Sequence, residues 1–169
     1  MRRIDVLPDD VLLEIFYFYV DTSLRFGGKR ATEAWQFLVH VCRRWRRLVF
    51  GSPRRLNLRL VCGPETPAKG TLDIWPALPL IVWGSMTISS GTDNIITALE
   101  QSNRVSEVYL LNLAVRQLEK VLASMQVPFP ELTVLQLVSN DEIPPVIPDS
   151  LHQQDDTLLG CLSRRGLLV

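Results

Sequence analysis

The chain has 169 residues, 47% of them hydrophobic and 21% charged, and its 18 basic and 18 acidic side chains leave a formal net charge of zero. That composition is too apolar for a disordered protein, and it supplies no global field toward nucleic acid or anionic lipid. Three widely spaced cysteines, Cys42, Cys62 and Cys161, suit a reducing compartment and support neither a disulfide framework nor a zinc site.

Asp5, Asp9 and Asp10 follow closely on Met1-Arg2-Arg3, where a signal peptide needs an apolar core. No apolar run approaches the roughly 20 residues that span a bilayer. The expectation is a soluble intracellular protein, cytoplasmic or nuclear, with no membrane association.

Leu7-Pro8-Asp9-Asp10 reads as a helix start, with proline in the first turn and early aspartates at the positive end of the dipole. Leu12, Ile15, Phe16 and Tyr19 then follow the i, i+3, i+4, i+7 spacing of one face, and Val11, Leu13 and Phe18 add apolar surface outside it. A helix this apolar needs cover on more than one side. The polar stretch Asp21 to Arg30, with Gly27-Gly28, reads as a loop.

A second helix is predicted from near Thr32 to Phe50, ended by Gly51-Ser52-Pro53. Leu38, Val41, Trp45 and Leu48 form its stripe, Trp35, Val39 and Cys42 lie beside it, and Arg43, Arg44, Arg46 and Arg47 occupy the opposite face. Two helices bury too little surface to be a self-sufficient enzyme domain.

Leu56-Asn57-Leu58-Arg59-Leu60 alternates as a half-buried strand does, and Gly63-Pro64 to Lys69-Gly70 reads as a connector. A repeat follows. Leu132, Leu135, Leu137 and Asn140 stand 27 residues beyond Val105, Val108, Leu110 and Leu113, which stand 27 beyond Leu78, Ile81, Trp83 and Met86. Between these strands, Asp93 is expected to cap a helix carrying Ile95, Ile96 and Leu99, and Leu118, Val121, Leu122 and Met125 make a second helical stripe. Each strand–helix unit needs a neighbour to bury its face. After Asn140 the pattern fails at Pro144, Pro145 and Pro148, as expected of a fragment or altered end of a longer array.

Two resemblances rest on these residues. Leu132-x-x-Leu135-x-Leu137-x-x-Asn140 is the strand signature of leucine-rich repeats. Leu7-Pro8-Asp9-Asp10-Val11-Leu12-Leu13-Glu14-Ile15-Phe16, followed by Val41-Cys42-Arg43-Arg44-Trp45-Arg46-Arg47-Leu48, resembles the two ends of an F-box. Ser52 to Leu56 and Leu72 to Pro79 are similar to F-box-like proteins of large fungal families. The expected architecture is mixed α/β: an F-box-like helical module over 1–52, a connector with the first strand over 53–77, leucine-rich-repeat units in a short, incomplete solenoid over 78–142, and an irregular end over 143–169.

The F-box resemblance implies docking onto the Skp-type adaptor of an SCF ubiquitin ligase, with Leu7, Pro8, Ile15, Phe16, Val41, Cys42 and Trp45 as contacts. The repeats would hold a protein target through the positions between the strand leucines: Val82, Gly84, Tyr109, Leu111, Gln136 and Val138. Asp21 to Phe37 is longer and more polar than the middle of the usual F-box, which favours the alternative of a repeat scaffold outside any ligase. A second alternative, a nucleic-acid-binding module, would use the Arg43 to Arg47 face, although no aromatic platform alternates with those charges.

No phosphate-binding glycine loop, Gly-x-Ser-x-Gly elbow or His-Glu-x-x-His motif occurs, and His40 and His152 have no spaced partners to complete a metal site. No catalytic residue, metal or cofactor is expected.

Overall fold

Helix α1 (Asp9–Phe26) begins where the sequence places it: Asp9 and Asp10 fill its first turn, and the Leu12 amide donates to the Pro8 carbonyl at 3.1 Å. The computed structural model describes residues 7–26, 33–85 and 91–139. The loop expected over Asp21 to Arg30 is corrected in its first part, since Asp21 to Phe26 continue α1. Gly27 to Arg30, Met86, Asn140 and the irregular end over 143–169 lie outside the described residues. The chain divides into two compact units, Met1–Leu60 and Val61–Val169, the division falling inside the expected connector.

In the first unit the buried stripe of α1 is Leu12, Leu13, Phe16 and Val20. It is rotated from the expected stripe, because Ile15 and Tyr19 stay exposed. The predicted helix from Thr32 to Phe50 is two helices, α2 (Ala34–Val39) and α3 (Arg43–Gly51). At the break, His40 and Val41 make short turn bonds to Phe37 and Leu38, and Cys42 is extended at φ −158° and ψ 169°. The physical reason is burial. Trp35, Leu38 and Val39 of α2 and Val49 of α3 all go inside, and the break re-aims α3 so that one straight stripe is not required. Trp35 is held there by its indole N–H, which donates to the Arg59 carbonyl at 2.9 Å, and by an edge contact with Phe50.

The predicted strand from Leu56 to Leu60 is also corrected. Leu56 donates to the Ser52 carbonyl and Leu58 to the Pro53 carbonyl, and Asn57 takes the left-handed value φ 47°. Those bonds close turns, so strand β1 (Leu60–Cys62) starts only at Leu60.

The second unit alternates strand and helix: after β1 come α4 (Ala68–Ile74), β2 (Leu80–Ser85), α5 (Thr92–Leu99), β3 (Val105–Leu113), α6 (Val115–Leu122) and β4 (Val134–Ser139). The sheet order is β1-β2-β3-β4, and β2–β3 and β3–β4 pair in parallel. Helix α4 occupies part of what reads as connector. Asp93 lies in the first turn of α5, whereas the cap position is Gly91 at φ 124°. A side chain there would meet the Pro64 carbonyl oxygen at 2.4 Å, so the close approach of that carbonyl is what requires glycine.

Helices α4, α5 and α6 neighbour one another in that order, with α5 on β2 and α6 on β3. They form one layer on one face of the sheet. Leu80, Val82, Val105, Val108, Leu110, Leu135 and Leu137 are buried among Ile95, Ala98, Leu99, Leu118, Val121 and Leu122. Each such aliphatic side chain stabilises by roughly 1.5–3 kcal/mol. An exposed ion pair such as Lys120–Asp93 (2.9 Å) is worth about 0–1 kcal/mol, so the apolar layer holds the unit together.

Candidate interaction surfaces

The first surface is the helical face of the N-terminal unit. Phe16 is 0% exposed and its ring lies 4.6 Å from that of Trp45, so it is a core residue and not a contact with a partner. The other residues expected there are placed differently. Ile15 and Val41 are 48% and 58% exposed. Pro8 and Cys42 are exposed, and Leu7 and Trp45 are half-buried.

Five further apolar side chains are exposed in this unit: Val11, Tyr17, Phe18 and Tyr19 on α1 and Phe37 on α2. Val11, Ile15, Phe18 and Tyr19 recur at i, i+4, i+7 and i+8, which puts them on one outward stripe opposite the buried one. The signal for Val11 and Phe18 was present in the sequence as apolar surplus. Assigning it an outward direction required knowing which stripe goes inside.

The arginines of α3 do not form one solvated face. Arg44 donates from Nε and Nη2 to Asp9 Oδ1 at 3.0 and 2.6 Å, and Nη2 also donates to the Leu7 carbonyl. Arg46 Nε donates to the Val39 carbonyl at 3.0 Å, satisfying the end of α2. Arg55 pairs with Glu14 and lies 3.9 Å from Asp10. The Arg44–Asp9 side chains are 34% and 59% exposed, which limits such a pair to about 1 kcal/mol of stability.

The second surface is the sheet face without helices. Val108 pairs with Leu135 and Leu110 with Leu137, the expected step of 27. Between β2 and β3 the step is 26, because Val82 pairs with Val108 and Gly84 with Leu110 after a register shift at Leu80/Ile81. A one-residue slip moves every side chain of a strand to the other face. Val82 and Gly84 are therefore core residues and not target-binding positions; both are buried.

A Cβ on Gly84 would stand 2.9 Å from Ile95 Cδ1 and 3.2 Å from Leu110 Cδ2, so this position faces α5. Trp83 and Ser85 take their place on the open face. One row there is Trp83, Tyr109 and Gln136; the next is Ser85, Leu111 and Val138. All six are half-buried. The Tyr109 hydroxyl donates to Glu107 Oε2 at 2.9 Å along the same strand. Side-chain size could have found the slip, since an indole does not fit a slot filled by leucine on the neighbouring strands.

Two ionisable groups in the second unit are perturbed. Burial pushes the Cys62 thiol from 9.0 up to about 11, opposed by the Arg104 charge. Burial also lowers Arg104, whose guanidinium donates to the carbonyls of Pro76 and Leu78. A thiol held neutral in this way is a poor nucleophile near neutral pH. His40 is exposed; His152 and Cys161 lie outside the described residues. Among the described residues no group of His, Cys, Asp or Glu could hold a metal, and no helix is long and apolar enough to cross a membrane.

Comparison with known protein families, with curated proteins and with solved structures gives no significant match.

Proposed function

We propose that the chain is a substrate-recruiting adaptor of an SCF-type ubiquitin ligase, in which the N-terminal helices dock on the Skp-type adaptor and the open sheet face holds a protein target. The observation that carries this reading is the outward stripe Val11, Ile15, Phe18 and Tyr19, exposed by 42% to 72% on a helix that buries Leu12, Leu13, Phe16 and Val20 on its other side. Apolar surface of this kind on a short helical unit marks a site where another chain packs. The F-box resemblance supplies the identity of that chain. The second surface fits the role of a target site, because parallel sheets ordinarily have both faces covered and this one has helices on one.

The mechanism is tethering. No bond is made or broken by this chain; one bound partner is held at high effective concentration near another. The test is co-elution of the purified full chain with the Skp-type adaptor on a sizing column. A complex that Ile15→Asp and Val41→Asp both abolish supports the reading. A folded chain that gives no complex removes the ligase role and leaves a repeat scaffold. That scaffold reading is kept as the alternative, because the open sheet face does not depend on the helical unit. The arginine contacts leave little for the nucleic-acid alternative, since Arg44 and Arg46 are already committed to protein acceptors.

A further inference from the structure

We infer that Arg44 is a positioning residue for the docking face: it ties the chain before α1 to α3, and so sets the angle at which Leu7, Pro8 and the outward stripe of α1 are presented. The inference rests on the adaptor reading above and names a determinant of it that touches no partner atom. Three observations carry it.

The first is reach. The Leu12 amide takes the Pro8 carbonyl, so Leu7 stands one residue outside the helical ladder, and Pro8 has no N–H to give. The Arg44 guanidinium crosses to that residue and donates to both neighbours of Pro8, the Leu7 carbonyl and the Asp9 carboxylate. A planar fork with fixed donors can hold two acceptors at a set spacing, which a flexible ammonium does not.

The second is that the grip repeats along α1. Trp45, the next residue of α3, meets Phe16 two turns further on, and Arg55 takes Glu14 between them. Helix α1 is thus fixed against α3 and the turn after it at three heights. The third is placement. The clamp lies on the Asp9 side of α1, whereas Val11, Ile15 and Phe18 point away from the core, so it leaves the docking stripe clear. Ordering a surface before binding removes that cost from the binding step.

The experiment uses the full chain with Arg44→Gln, Arg44→Lys and Asp9→Asn, each measured by amide hydrogen exchange when free and by calorimetric titration with the Skp-type adaptor. Arg44→Gln is expected to speed exchange over residues 11–13 about fivefold and to weaken adaptor binding about tenfold, while the chain stays folded and its melting temperature falls by no more than several degrees. Arg44→Lys recovers part of both, since it keeps the charge but not the two-acceptor geometry. Asp9→Asn moves in the same direction by a smaller factor and guards against a folding failure of the arginine variants, because Asp9 is exposed. If wild type binds and Arg44→Gln binds equally well, this inference fails and the adaptor reading stands. Unchanged exchange over residues 11–13 overturns the clamp itself. If wild type does not bind the adaptor, the docking role fails with the adaptor reading, whatever the exchange shows.

Discussion

At the scale of single residues, neighbours in sequence part company once side chains pack. Ile15 and Phe16 are adjacent and both apolar, yet one is half exposed and the other wholly buried against Trp45. Phe16→Ala is expected to destabilise the first unit by about 3–5 kcal/mol, the usual cost of an aromatic cavity. Ile15→Asp should change its melt by less than about 0.5 kcal/mol. Thermal unfolding followed by near-ultraviolet circular dichroism separates the two, and equal losses would mean the stripe of α1 is assigned wrongly.

The cysteines divide in the same way: Cys42 is exposed and Cys62 buried. In a chain carrying Cys161→Ser, a thiol reagent should modify Cys42 within seconds and Cys62 only on unfolding. Cys62 also makes stability depend on alkaline pH. Its folded pKa of about 11 lies above the unfolded value of 9.0, so the stabilisation is complete below pH 9 and is lost as pH rises toward 11. Denaturant titrations should show that loss, on the order of 2–3 kcal/mol, and Cys62→Ala should flatten it. A slope unchanged by Cys62→Ala would assign the pH dependence to other groups.

At the scale of elements, period alone proved insufficient where a slip of one residue was in play. The step of 27 holds between β3 and β4 from Glu107 to Leu111 and drops to 26 at Leu113, whereas between β2 and β3 it is 26 from Ile81 to Ser85. The reason is local: a shift at Leu80/Ile81 turns Gly84 toward α5, where an added side chain would have to push Ile95 Cδ1 and Leu110 Cδ2 aside. Gly84→Val is expected to cost about 1–3 kcal/mol through overpacking, and more if α5 cannot move. Trp83→Ala, on the open face, should cost less. If urea unfolding gave the reverse order, Trp83 and not Gly84 would be the inward position.

The break between α2 and α3 teaches a related point. Apolar positions from Leu38 to Leu48 fit one continuous helix by spacing, and no proline or glycine interrupts them. Trp35, Val39 and Val49 are all buried, and the extended residue at Cys42 lets α2 and α3 turn these side chains inward separately.

At the scale of the whole molecule, 18 basic residues balance 18 acidic ones, and among the described residues Arg44, Arg55 and Lys120 form ion pairs with Asp9, Glu14 and Asp93. Arg44, Arg46 and Arg55 each have a protein acceptor. The chain is therefore expected not to bind a duplex oligonucleotide, even at about 50 mM salt, where phosphate contacts are strong. Anisotropy of a labelled 20-mer checks this, and tight, salt-sensitive binding that Arg43→Ala and Arg47→Ala abolish would reinstate the nucleic-acid reading.

What the sequence determined by itself was the kind and order of most elements: the start of α1 at Pro8-Asp9-Asp10, the strands near 80, 105 and 134, and the helical stripe Leu118, Val121 and Leu122, with Met125 buried just beyond the helix end. These follow from short-range causes, namely the helix dipole and apolar spacing, which act within a few residues. Only the tertiary structure decided which face of each element turns inward. That choice put Phe16, Val82 and Gly84 in the core, left Trp83 on the open sheet face, and turned Arg44 from a solvated charge into a clamp. Packing volume and register are set by side chains far apart in the chain, and no local pattern encodes a contact between Gly84 and Ile95 or between Arg44 and Leu7.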